Sequence, residues 1–339
     1  MGVSTVASSA LLVPIVSSRR AGAGVKRAQS EDHTVQDGAT MAHLRGLSTK
    51  TGVSAQEGLG QAATGRAWPV ASAAYFRTEP PPAVVLLPGM DGTALLGGHF
   101  RSALDPSISL VEASYPCDEL LDTMQLARRV VPTFAAQARQ LHPTGRFVVV
   151  AQSFSGHVAL QYAETRPPGL AGIILVNAFT STPLPGLATW SLLAAQGPPE
   201  WMFRAQPPPA IVARALLGGG SSAAVDLARE VQAAVATVSP AALRHRARLC
   251  LTAESSRLWI DRGLFSARSV PLLYLAGAAD MVVANTDHAA GMRAARRDVP
   301  WVRVAGAPHL ALQAAPAATA AVVERFLTTC VARVAVGAA

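Results

Sequence analysis

Lysine is almost missing from this chain: of 339 residues only Lys26 and Lys50 carry it, and none follows. A lysine Schiff base, a Ser-Lys dyad and a Walker-type phosphate clamp each need a lysine ammonium, so none of them can be built beyond residue 50. Cysteine is scarce too. Cys117, Cys250 and Cys330 give an odd count at wide spacing, which is neither a disulfide framework nor a metal-ligand set. They predict a reducing, cytoplasmic setting, with each thiol acting as a small buried apolar group. No apolar run approaches the roughly 18 residues that span a bilayer, since Ala10–Val16 is short and interrupted by Pro14. No transmembrane segment is expected. The formal charge is +8, but the arginines are scattered and never interleave with aromatics, which argues against a nucleic-acid partner. Abundant Ala and Arg beside so little Lys reads as biased base composition.

Half of the residues are apolar, enough to bury a large core. Residues 1–66 lack sustained periodicity and are rich in Ser, Ala, Gly and Thr, as expected of a disordered extension. Its first 30 residues hold Arg19, Arg20, Lys26 and Arg27 without an acid. Two readings stand: an organelle transit peptide, or a variable tail with Met41 as a downstream start. From Trp68 onward, short aliphatic runs alternate with longer amphipathic ones, which predicts an α/β fold with a mostly parallel sheet flanked by helices. Strands are expected at 83–88, 108–114, 147–152, 172–177, 271–276 and 301–305. The clearest helix covers 119–141, where Leu120, Met124, Ala127, Val131, Phe134 and Ala138 recur at steps of three and four, with a kink at Pro132. Between Asn177 and Pro271 the alternation lapses into helical stretches broken by Pro and Gly clusters. Residues 182–256 are expected to form a helical cap inserted between two core segments, 67–181 and 257–339.

Three segments then carry chemistry. Ser153 lies between a strand-like and a helix-like run in Phe147-Val-Val-Val-Ala-Gln-Ser-Phe-Ser-Gly156; Asp280 ends Leu272-Leu-Tyr-Leu-Ala-Gly-Ala-Ala-Asp280; His309 ends Trp301-Val-Arg-Val-Ala-Gly-Ala-Pro-His309. A serine hydroxyl is too weak an acid to attack unaided, so an imidazole must take its proton and a carboxylate must orient that imidazole. The order Ser, Asp, His resembles the α/β-hydrolase superfamily, and with it the Leu86-Leu-Pro-Gly-Met-Asp-Gly-Thr93 loop resembles the superfamily's oxyanion loop. The resemblance covers about residues 68 to 335, closest to bacterial hydrolases with a Glu-Ser-Phe-Ser-Gly-like elbow. Two departures are visible. Ala151 and Ser155 stand where the elbow usually has glycines, and Pro88-Gly89 stands where His-Gly is commoner.

The resemblance implies Ser153 as nucleophile, His309 as base, Asp280 as the orienting acid, and the backbone amides of Met90 and Phe154 as oxyanion donors. Ser155 competes as nucleophile, but in that register His157 would crowd the helix entry and the strand would end two residues early. Glu254 and Asp261 are substitute acids; His142, His157 and His288 read as structural or exposed. Trp190, Trp201 and Phe203 are the candidate lining of a pocket for a hydrophobic ester or thioester. The expected activity is cofactor-independent serine hydrolysis through an acyl-enzyme, with no metal. The alternatives are an acyltransferase on the same triad and a small-molecule receptor with little turnover.

Overall fold

The computed structural model describes residues 80–179, 210–218, 222–252, 270–283 and 299–337. The expected extension over 1–66 with Met41, the pocket candidates Trp190, Trp201 and Phe203, the substitute acids Glu254 and Asp261, and His288 all lie outside the described residues.

Six strands form one sheet: β1 (Ala83–Leu87), β2 (Leu110–Glu112), β3 (Phe147–Gln152), β4 (Leu170–Val176), β5 (Leu272–Gly277) and β6 (Trp301–Val304). Their spatial order is β2-β1-β3-β4-β5-β6, and every neighbouring pair is parallel. Parallel strands covered on both faces read as continuous apolar runs, and β1, β3 and β5 are buried at every position. Alternate residues serve opposite layers. Val85, Leu87, Val149, Ala151, Leu175 and Tyr274 pack against one helical layer, α2 (Val131–Leu141) and α3 (Ser155–Glu164). Val84, Leu86, Val148, Val150, Ile174 and Leu273 meet Phe100 of α1 (Gly98–Ala103) and Val323, Phe326 and Leu327 of the C-terminal helix. That helix spans Pro316–Gly337.

The strand order reverses between β1 and β3, so their C-terminal ends open a crevice between loops running in opposite directions. This is where open parallel sheets hold their sites. Between β4 and β5 the described residues hold three helices, α4 (Ala210–Leu217), α5 (Ser222–Ala236) and α6 (Pro240–Thr252).

Several expectations need correction. The helix expected from residue 119 starts at Thr123, because Asp122 accepts the Gln125 N–H at 2.7 Å while the Gln125 side chain accepts the Asp122 N–H at 2.9 Å. This reciprocal cap fixes the start, and Leu120 is 54% exposed instead of in the core. Pro132 does mark an irregularity, as a π-turn over Leu126–Val130 closed by the Val131 N–H on the Leu126 carbonyl. A widened turn there relieves the clash a proline ring makes with the carbonyl four residues earlier. The second strand is confined to Leu110–Glu112. Cys250 and Cys330 are buried, but Cys117 is exposed on the loop after β2.

Candidate active site

Ser153 follows β3 directly and has φ +52°, a left-handed conformation that a side-chain-bearing residue adopts only under strain. The turn is that tight because α3 begins at Ser155, two residues on. Small neighbours make it possible. Ala151 and Ser155 are fully buried, and a Cβ on Gly156 would lie 2.7 Å from that of Ala178 and 2.9 Å from the Phe179 carbonyl oxygen.

The turn presents the Ser153 hydroxyl to the sheet's C-terminal edge, 2.9 Å from His309 Nε2. On the other side of the ring, His309 Nδ1 lies 3.0 Å from Asp280 Oδ2 and 3.1 Å from Oδ1. Ser153 and His309 are 5% and 3% exposed. An ionised carboxylate can only accept, so it fixes the proton on Nδ1 and leaves Nε2 as an acceptor facing the Ser153 hydroxyl. Burial acts to raise the Asp280 carboxyl; the His309 hydrogen bond and charge, with the Val283 and Val282 amides, outweigh it and hold it below the usual carboxylate range.

The two amides expected to bind an oxyanion lie in the turns after β1 and β3. Met90 lies in the turn after β1, and Phe154 follows Ser153. Neither amide hydrogen bonds to another described residue. A main-chain N–H left without a partner is suited to a transient anion.

Ser155, the competing nucleophile, points elsewhere. Its hydroxyl donates to the Pro88 carbonyl and is 2.6 Å from the Tyr115 hydroxyl. With no imidazole among its hydrogen-bond partners in the described residues, it ties the elbow helix to the loop after β1.

Four contributors were missed in the sequence. Asn177, just past β4 at φ +44°, accepts the Gly277 N–H at 2.6 Å and donates to the Pro308 and His309 carbonyls at 2.9 and 2.7 Å. It joins the ends of β4 and β5 to the loop carrying His309. Asparagine tolerates a left-handed backbone better than most residues, which was its only signal. Gln152 and Gln313 exchange amide hydrogen bonds of 2.9 and 3.1 Å, joining the residue before Ser153 to the short helix after His309. Arg246 of α6 reaches the loop after β1 and donates to the Met90, Asp91 and Pro116 carbonyls. Its signal was a charge on an apolar stripe: Leu243, Ala247 and Cys250, at helical spacing around it, are buried.

No helix among the described residues is long and apolar enough to cross a membrane.

No curated protein sequence matches the chain. Among solved structures, it is similar to an esterase from Thermogutta terrifontis at 18% identity, covering 73% of this chain and 90% of the esterase with a TM-score of 0.54. The esterase RhEst1 from a Rhodococcus species aligns at 19% identity over 74% of this chain and 91% of the other, TM-score 0.55. A carboxylesterase structure from Nitrososphaera gargenis aligns at 13% identity over 74% and 91%, TM-score 0.52. At such identities the likeness is one of fold. The family model described as serine aminopeptidase, S33, matches residues 122–313, more than half of the chain. The chain belongs to the serine aminopeptidase S33 family of α/β-hydrolases.

Proposed function

We propose that this protein is a serine hydrolase that cleaves a carboxylic ester or thioester through an acyl-enzyme. The carrying observation is the continuous hydrogen-bonded line from the strained Ser153 through His309 to Asp280. In this reading Ser153 Oγ attacks the substrate carbonyl carbon as its proton passes to His309 Nε2. The carbonyl oxygen, now anionic, is held by the Met90 and Phe154 amides. Collapse breaks the bond to the alcohol or thiol, which leaves with the proton from His309; water then repeats the sequence in reverse and frees the acid. Asp280 keeps the imidazole in the required tautomer and stabilises its cation. The chemistry needs no metal or cofactor.

The insertion carrying α4, α5 and α6 serves as the cap over this site, and the core is formed by the segments on either side. Two contacts support this. The Leu310 N–H, next to His309, donates to the Leu216 carbonyl of α4 at 3.0 Å, and Arg246 grips the oxyanion loop. The substrate's acyl group is hydrophobic in this reading.

The test is a fluorophosphonate probe, with the adduct mapped by mass spectrometry, followed by turnover of p-nitrophenyl esters, acyl thioesters and aminoacyl anilides. Labelling of Ser153 and faster turnover of esters or thioesters than of anilides is the expected outcome. Labelling at Ser155, or none in folded protein, would refute the nucleophile. Preference for aminoacyl anilides would place the activity with the peptidases for which the family is named. Acyl transfer to added alcohols in preference to water would make the protein an acyltransferase.

A further inference from the structure

Arg246 is 3% exposed, the one buried arginine among the described residues. A guanidinium is expensive to desolvate and is seldom buried without a carboxylate. Here its hydrogen bonds end on main-chain oxygens, while the Asp91 carboxyl lies near enough to interact with its charge: Nη1 donates to the Asp91 carbonyl at 2.7 Å and the Met90 carbonyl at 3.3 Å, and Nη2 to the Pro116 carbonyl at 2.7 Å. The cation also lies 5.8 Å from the centre of the Tyr115 ring. Gly92 makes room for it, since a Cβ on Gly92 would collide with Nη1, and the residue is held at φ +70°.

A peptide unit has its C=O and N–H pointing in opposite directions, so holding one aims the other. The Asp91 carbonyl gripped by Arg246 shares its peptide plane with the Gly92 N–H. That N–H donates to the Gly89 carbonyl at 3.1 Å. The Gly89 carbonyl in turn shares its plane with the Met90 N–H. Two peptide units therefore separate a buried positive charge from the amide assigned to the oxyanion. Hydrogen bonds in series polarise one another, and in a dry interior the effect is strengthened. A cation at the head of the series makes the last N–H a better donor and fixes its direction.

We infer that Arg246 is a positioning residue for the oxyanion hole: from the insertion, it aims and polarises the Met90 amide through the Asp91–Gly92 and Gly89–Met90 peptide units. The inference rests on Met90 as an oxyanion donor. It predicts a defect confined to the step that develops negative charge, because interactions stronger in the transition state raise kcat without tightening substrate binding.

Arg246→Gln and Arg246→Lys are compared with wild type on a p-nitrophenyl ester, with circular dichroism to confirm that each variant is folded. Arg246→Gln should lower kcat by about 10- to 100-fold, less than the loss of an oxyanion donor outright, with KM within about twofold. Arg246→Lys keeps the charge but not the fork that engages three carbonyls, so it should recover part of the rate. A readout independent of turnover comes from selective 15N labelling of the seven methionines, with the Met90 signal assigned by Met90→Leu. That signal should move in Arg246→Gln and move less in Arg246→Lys. An unmoved Met90 signal in folded Arg246→Gln, unchanged kcat, or a loss in KM alone overturns the inference. If wild type hydrolyses nothing and no serine is labelled, the proposed function falls, while the Met90 signal still decides whether the relay exists.

Discussion

Ser153 and Ser155 are two residues apart and both buried, yet the same substitution should have opposite consequences at the two sites. Ser155→Ala keeps the Cβ that the tight turn accommodates but deletes the hydroxyl between Pro88 and Tyr115. The Tyr115 hydroxyl, in a residue 5% exposed, then loses its acceptor, and the Pro88 carbonyl loses a donor. Leaving a buried polar group unsatisfied costs about 1–3 kcal/mol, so the pair predicts a loss of about 2–4 kcal/mol of folding stability, allowing for partial relaxation. Ser153→Ala removes only the contact with His309, a net hydrogen bond of about 1 kcal/mol, and leaves the strained φ of +52° in place. Stability should change by about 1 kcal/mol or less, while ester turnover falls at least about 10⁴-fold. Equilibrium denaturation in urea supplies the first number and initial rates the second. Thermal scans should show Ser155→Ala melting about 5–10 °C lower at this chain length. A Ser155→Ala protein as stable as wild type would refute the structural role given to its hydroxyl, and a Ser153→Ala protein that still turns over would remove the nucleophile.

The other predictions concern the acid, the sheet packing and the thiols. Asp280→Asn should cost about 10⁴-fold in kcat by favouring the wrong His309 tautomer, and rates within tenfold of wild type would contradict the assignment. Because the Asp280 carboxyl is held below its ordinary value of 3.8 in the folded protein, it contributes stability that is fully present above that value and is lost as pH falls through the lowered one. The stability gap between wild type and Asp280→Asn in urea should therefore narrow below pH 4; a gap that widens on acidification would show the shift has the opposite sign. Gly172→Ala on β4 would place a Cβ 2.6 Å from Phe326 Cε1 and 2.9 Å from Cys330 Sγ, and should cost about 1–3 kcal/mol by overpacking. No loss of stability would mean the helix can shift away. Of the three thiols, Cys117 should react quickly with a disulfide reagent in native protein, whereas Cys330 is buried and burial pushes Cys250 up to about 12. A Cys117→Ser protein that keeps the fast phase would refute this.

The sheet was legible because strands such as β1, β3 and β5 are buried on both faces and so read as unbroken apolar runs, of which Phe147–Gln152 is the clearest. The helix boundary at residue 119 misled because apolar spacing extends through Leu120, while the signal that sets the start is polar: an Asp at 122 and a Gln at 125. Ser153, Asp280 and His309 could be picked out because each follows a strand, and strand ends of a parallel sheet gather at one edge. What holds them there follows no such pattern. Asn177 acts through both ends of its amide on segments about 100 and 130 residues away, and Ser155 reaches back 67 residues to Pro88. Such long-range hydrogen bonds leave no periodic trace.

Arg246 lies between these cases, and its position links the insertion to the chemistry of the core. A helix that merely covered the crevice would need only its apolar face, and a leucine or methionine would fill the space beside Leu243 and Ala247 at lower desolvation cost. A guanidinium there instead engages the Met90 and Asp91 carbonyls, while α4 holds the N–H beside His309. The insertion thus touches both the loop carrying His309 and the loop carrying Met90. In the proposed mechanism, displacement of α4 or α6 would disturb the loops carrying His309 and Met90 through these main-chain contacts. Substitutions at the apolar positions of α6 that shift the helix should then lower kcat more than they raise KM.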